Sequence, residues 1–170
     1  MSVLAYATAV LARDLEALKR EIEAYPDDAS IWAVPEGVQN SAGTLTLHLA
    51  GNLRHFIGTR LGGTNYVRDR AAEFGRRDVP AGELAAEVDQ AIADVRAVLE
   101  RLGPERLTEP FPDAVGGVRV TTGDFLVHLL AHTGYHLGQV DYHRRITTGS
   151  GTTIGAMAVP ELASATREAS

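Results

Sequence analysis

The stretch LVHLLAHTGYHLGQVDYHRR, residues 126–145, holds four of the six histidines in the chain: His128, His132, His136 and His143. Imidazole can transfer protons, ligate metals or hydrogen-bond within a core. Spacing narrows the choice. An α-helix turns about 100° per residue, so with Phe125 at zero, Leu129 falls at about 40° and Val140 at about 60°. His132 at about −20° and His136 at about 20° then lie in the apolar stripe, one turn apart. His128 falls at about −60° and Gln139 at about −40°, on its flank. An earlier helix repeats the arrangement. With Leu45 at zero, Leu49 and Phe56 mark its stripe, Asn52 lies at about −20°, His48 at about −60° and His55 at about −80°.

Buried imidazoles need hydrogen-bond partners, and two close together are not both charged. Few carboxylates are expected to be buried beside them. A divalent cation resolves the problem: histidines at i and i+4 bind one ion from one helix face, and a third from a neighbouring helix completes a three-nitrogen site. The alternative is a packed set of histidines bonded to one another and to Gln139. His55 and His143 are expected at the surface or the bundle end.

Several chemistries are disfavoured. There is no cysteine, so disulfides, thiolate metal sites, covalent haem attachment and a cysteine nucleophile are excluded. Thr133 follows His132, so no HExxH motif is present. The inward carboxylates of a di-iron bundle are missing. Gly62-Gly63 closes a helix, and no phosphate-cradling glycine loop is found.

Four amphipathic segments position these residues. The first runs from Ser2 to about Ala24, with Leu4, Leu11, Leu15, Leu18 and Ile22 on one face, and Pro26-Asp27-Asp28 stops it. A long connection contains Trp32, expected to plug one end of the core. The second segment runs from Ala42 to Leu61, the third from Pro80 to Leu102 and the fourth from Thr121 or Thr122 to about Thr147. The charged connection TNYVRDRAAEFGRRDVP separates the second from the third, and PFPDAVGGVRVT is a candidate hairpin before the fourth. The expected fold is all-α, a four-helix bundle over residues 1–150, with 151–170 a partly ordered tail of small residues.

The 170 residues carry a net charge of −6, which disfavours nucleic-acid binding. No apolar run reaches the roughly 20 residues of a membrane span. Arg13, Asp14 and Glu16 interrupt the N-terminal segment, which therefore reads as a helix and not a signal peptide. Cytoplasmic localisation is expected. A wide apolar arc (Leu126, Leu130 and Leu137 on the fourth helix, Ile57 and Leu61 on the second) calls for a neighbouring helix or a partner chain, and a homodimer is expected.

HLAGNLRHFIGTRLGG (48–63), YVRDRAAEF (66–74) and HLLAHTGYHLGQ (128–139), in this order, resemble the DinB-like superfamily of metal-binding four-helix bundles, related to mycothiol- and bacillithiol-dependent transferases. The resemblance covers roughly residues 41–147. It implies a metal triad of His48, His132 and His136, with Gln139 behind it and His128 beside it. Asn52 and His55 are further candidates to orient a ligand. A divalent ion is implied, zinc or nickel first, with iron or copper as alternatives. The expected activity is metal-dependent S-transfer from a low-molecular-weight thiol to a small-molecule electrophile. Metal-dependent hydrolysis, or a stress-related binding protein with a structural metal, are the other readings.

Overall fold

Five of the six helices begin at a residue whose side chain caps them. In the computed structural model, which describes residues 2–166, Ser2 caps α1 (Val3–Glu23) by accepting from the Ala5 N–H. Asp27 caps a short α2 (Asp28–Trp32), and Ser41 caps α3 (Ala42–Leu53). Asp69 caps a short α4 (Arg70–Gly75), Pro80 precedes α5 (Ala81–Leu99), and Thr121 caps α6 (Thr122–Thr148). These oxygens satisfy first-turn N–H groups that have no partner within the helix. The fold is all-α with six helices, of which α1, α3, α5 and α6 correspond to the four expected segments. The additional α2 and α4 lie in the two stretches read as connections. Asp27, taken as part of a stop signal, is instead a start signal for α2.

α3 is the hub. All of its 12 residues are buried, whereas the sequence predicts a single apolar stripe. The reason is that α5, α4, α6, α2 and α1 all pack against it. A helix covered on every side needs small or apolar residues all round, and Ala42, Gly43, Ala50 and Gly51 let neighbours approach closely. Beyond Leu53 the helix widens into a π-helical turn, Arg54–Thr59. Trp32 does plug one end of the core: its Nε1–H donates to the Val79 carbonyl at 3.0 Å. Its ring lies over Gly43, where a Cβ would come within 2.6 Å of the indole.

The apolar arc is covered within the chain. Leu126, Leu137 and Ile57 are buried, and Leu130 and Leu61 pack against the core. They therefore give no reason to invoke a partner chain. The loop before α6 forms two isolated antiparallel bridges, Pro110 with Thr121 and Val115 with Val118. Gly116 and Gly117 turn it with positive φ of 59° and 83°, as a two-residue hairpin turn requires. No β-strand occurs among the described residues, and none of their helices is long and apolar enough to cross a membrane.

Two polar groups lock α6 to α1 and the tail. Arg144 and Glu21 form an ion pair with side chains only 1% and 0% exposed. The Arg144 guanidinium also donates to Asp141 and to the Thr152 carbonyl, which holds the start of the tail. Ile154 and Ala156 then pack on the core. His143, expected at the surface or the bundle end, is buried. One ring nitrogen meets the Tyr25 hydroxyl at 2.7 Å and the other donates to the Ala33 carbonyl at 2.8 Å.

Two outcomes follow for stability. Glu21→Ala leaves a buried guanidinium without its carboxylate, and chemical denaturation should show a loss of about 3–5 kcal/mol. Burial holds His143 below the usual histidine range, against the opposing effect of the Ala33 bond. The unfolded chain, titrating at about 6.5, then binds the proton that the folded chain refuses. Stability of the metal-free protein should therefore fall as pH drops from about 7 through 6.5. His143→Gln should make that decline shallower; an identical slope in the variant excludes this role.

Candidate metal centre

α3 and α6 run in opposite directions across the core. Phe56 packs on Phe125 with ring centroids 4.9 Å apart, while His48, two turns earlier, meets His132 and His136. The core stripe of α6, set by Phe125, Leu126, Leu129, Leu137 and Val140, centres at about 60° on the helical wheel used above. His132, at about −20°, stands on its rim, and His136, at about 20°, lies inside its edge and away from its middle. They are half-buried, within reach both of α3 and of solvent.

The three imidazoles converge through Nε2. His48 Nε2 lies 3.4 Å from His132 Nε2, which lies 3.1 Å from His136 Nε2. Their ligand atoms all fall within 4.8 Å of one another. The opposite ring nitrogens decide what these contacts are. His48 Nδ1 faces Glu73 Oε2 at 3.1 Å, and His136 Nδ1 faces Gln139 Oε1 at 2.6 Å. Both oxygens are acceptors, so the ring protons of His48 and His136 sit on Nδ1 and their Nε2 lone pairs both face His132 Nε2. A single Nε2–H on His132 could meet only one of these two lone pairs, whereas a cation between the three nitrogens would satisfy all of them. A tetrahedral ion with bonds of about 2.0–2.1 Å spaces its nitrogens about 3.3–3.4 Å apart, close to the two distances that His132 Nε2 makes here. The donor set fits a divalent ion.

Electrostatics agrees. Burial, then the neighbouring His136 and His48, push the His132 pKa down to about 4. Burial also lowers His136, although its Gln139 bond opposes the shift. Imidazoles kept neutral are imidazoles ready to ligate. Burial pushes the Glu73 carboxyl up, but hydrogen bonds from Arg68 and His48 outweigh it and hold Glu73 below the usual carboxylate range.

The remaining candidates are placed as follows. Gln139 is exposed and bonds His136. His128 is exposed and stacks between Phe125 and His132, at 5.7 and 5.8 Å. Asn52 is buried one turn beyond His48, and its Oδ1 has no protein partner; neither has His132 Nδ1. His55 lies against Phe56, outside the convergent cluster. Sequence reasoning missed Glu73 and Arg68. Few carboxylates were expected near the histidines, yet Glu73 is 5% exposed and joined to Arg68 by two bonds, of 2.6 and 2.8 Å. The available signal was Asp69, a helix-capping residue four positions before Glu73 in a segment read only as charged.

An α-helical bundle with a three-histidine cluster able to hold a metal ion is thus defined by fold and site together. The family model of the DinB superfamily matches residues 9–140, and the chain belongs to that superfamily. The crystal structure of a conserved protein from Enterococcus faecalis shares the fold, with a TM-score of 0.70 and 18% identity over 88% of this chain and 99% of that one. No curated protein matches the sequence.

Adding zinc or nickel to the chelator-treated protein should raise its melting temperature, by the equivalent of about 2.7 kcal/mol when free metal is 100-fold above Kd. His132→Ala should abolish the shift, while His128→Ala should keep it. A shift retained in His132→Ala places the ion elsewhere.

Proposed function

We propose that the protein is a metal-dependent enzyme that transfers a low-molecular-weight thiol to a small electrophile. The observation that carries this reading is the size of the ligand set. Among the described residues the convergent cluster contains three histidines and no fourth histidine or carboxylate. Structural zinc sites are closed by four protein ligands, whereas catalytic ones keep three and leave a position for substrate or water. The ion is zinc or nickel in this reading. When bound, it supplies Lewis acidity that favours the thiolate of an incoming thiol at neutral pH.

The chain's own residues do the rest. His48, His132 and His136 hold the ion from two helices, and Glu73 and Gln139 fix two of the rings. Phe74 and Tyr135 flank His48 and His136 at 5.0 and 5.3 Å. With no cysteine in the chain, the sulfur nucleophile belongs to the cosubstrate. Its sulfur forms a bond to the electrophilic carbon, and the leaving group departs with the bonding pair.

The test combines spectroscopy with turnover. Cobalt-substituted protein should change its visible spectrum on addition of a low-molecular-weight thiol. The zinc- or nickel-loaded protein should consume that thiol against a panel of electrophiles, and His48→Ala should not. A spectrum indifferent to every thiol indicates a closed structural site. Turnover of esters or amides without thiol assigns a hydrolase. Either result replaces the transferase reading.

A further inference from the structure

The ring of His48 is held from behind by an element too short to hold itself. α4 has 6 residues, and isolated helices of that length are unstable in water. Its Glu73 nonetheless sits deeply buried against α3, with one carboxylate oxygen accepting from Arg68 Nε at 2.6 Å and the other from Arg68 Nη2 at 2.8 Å and from His48 Nδ1 at 3.1 Å. The seat for this carboxylate is Gly51. A Cβ there would run into Glu73 Oε1 and come within 2.9 Å of its carboxyl carbon and 3.1 Å of the Tyr66 hydroxyl. Gly51 needs no special backbone freedom, being an ordinary α-helical residue in the middle of α3. Its missing side chain is explained by the carboxylate that occupies the space.

We infer that Gly51, Glu73 and Arg68 form a positioning unit that sets the metal affinity of the histidine triad, with Glu73 fixing the proton of His48 on Nδ1 and aiming Nε2 at the ion. The inference rests on the metal-centre reading above. A carboxylate behind a ligand histidine raises its basicity and fixes its tautomer and orientation. Arg68 holds the buried carboxylate by a two-bond fork, one bond to each oxygen, so that both oxygens act as acceptors. Arg68 Nη2 also lies 3.4 Å from His48 Nδ1. Its shorter bond is to Glu73, and an ionised acceptor leaves the ring nitrogen as the donor.

Zinc affinity, measured by competition with a chromophoric chelator, tests this in four chains: wild type, Glu73→Ala, Glu73→Gln and Gly51→Ala. Glu73→Ala should lose about 10- to 100-fold in affinity, the range for residues behind a metal ligand. Glu73→Gln keeps an acceptor oxygen and should fall between Glu73→Ala and wild type. Gly51→Ala should match Glu73→Ala even though alanine is the better helix former, so that affinity drops while circular dichroism shows helix content unchanged. Combining Gly51→Ala with Glu73→Ala should cost no more than Glu73→Ala alone, because both remove one contact. Wild-type affinity in Glu73→Ala overturns the inference, and so do additive losses in the double variant. If Gly51→Ala does not fold, the two Glu73 variants decide. A wild-type protein that binds no zinc instead overturns the metal-centre reading on which the unit depends.

Discussion

The Nε2 lone pairs of His48 and His136 both face His132 in a half-buried seam, where one ring proton can meet only one of them and a cation would satisfy all three nitrogens. That constraint organises the rest of the molecule. His48 and His132 can meet because α3 and α6 cross the core in opposite directions, with Phe56 on Phe125 two turns away as the apolar fixed point. α3 can reach the seam because it is buried on every side and cannot shift toward solvent. The acceptors behind the rings, Glu73 and Gln139, then decide which nitrogen carries the proton. Each level of structure removes one freedom from the imidazoles: backbone position, side-chain direction, then tautomer.

Half-burial is the compromise that lets such a site work. A fully buried histidine cluster would be inaccessible, and an exposed one would be hydrated and mobile. His132 and His136 are half-buried, so burial still depresses their pKa values while solvent reaches the seam. The contrast with His143 is instructive. Seven residues beyond His136, at a wheel angle between those of His132 and His136, it is buried, and both ring nitrogens are satisfied by Tyr25 and Ala33. The same side chain is a candidate ligand at one position and a core hydrogen-bonding group at the other, and the difference is whether protein groups already occupy both nitrogens.

The i,i+4 pair was legible because both members lie on one long helix, where spacing alone fixes their common face. His48 was legible as a residue flanking an apolar stripe, and Gln139 by its place one turn after His136. The four long helices were legible from their stripes and caps. Three features were not. Glu73 and Arg68 lie in a stretch whose helix is too short to show a period, so their burial depends on docking against α3 and not on local pattern. His143 was read as peripheral although its wheel position lay on the core face. The apolar arc was read one helix at a time, but Ile57 and Leu137 are each covered by neighbours that a single-helix wheel does not contain.

The metal centre joins a strongly packed pair, α3 and α6, to a weakly autonomous piece, the segment carrying Arg68 and Glu73. A free-energy link between two such parts is necessarily reciprocal. If the docked carboxylate strengthens the bond between His48 and an ion, then a bound ion strengthens the docking of the carboxylate by the same factor. The fork from Arg68 keeps that carboxylate charged, and the charge draws the Nδ1 proton of His48, which leaves Nε2 free to donate its lone pair. Order in the 66–74 segment and occupancy of the histidine seam would then be two expressions of one equilibrium. A site built this way can change its affinity through a surface element without moving either of the long helices that carry its ligands.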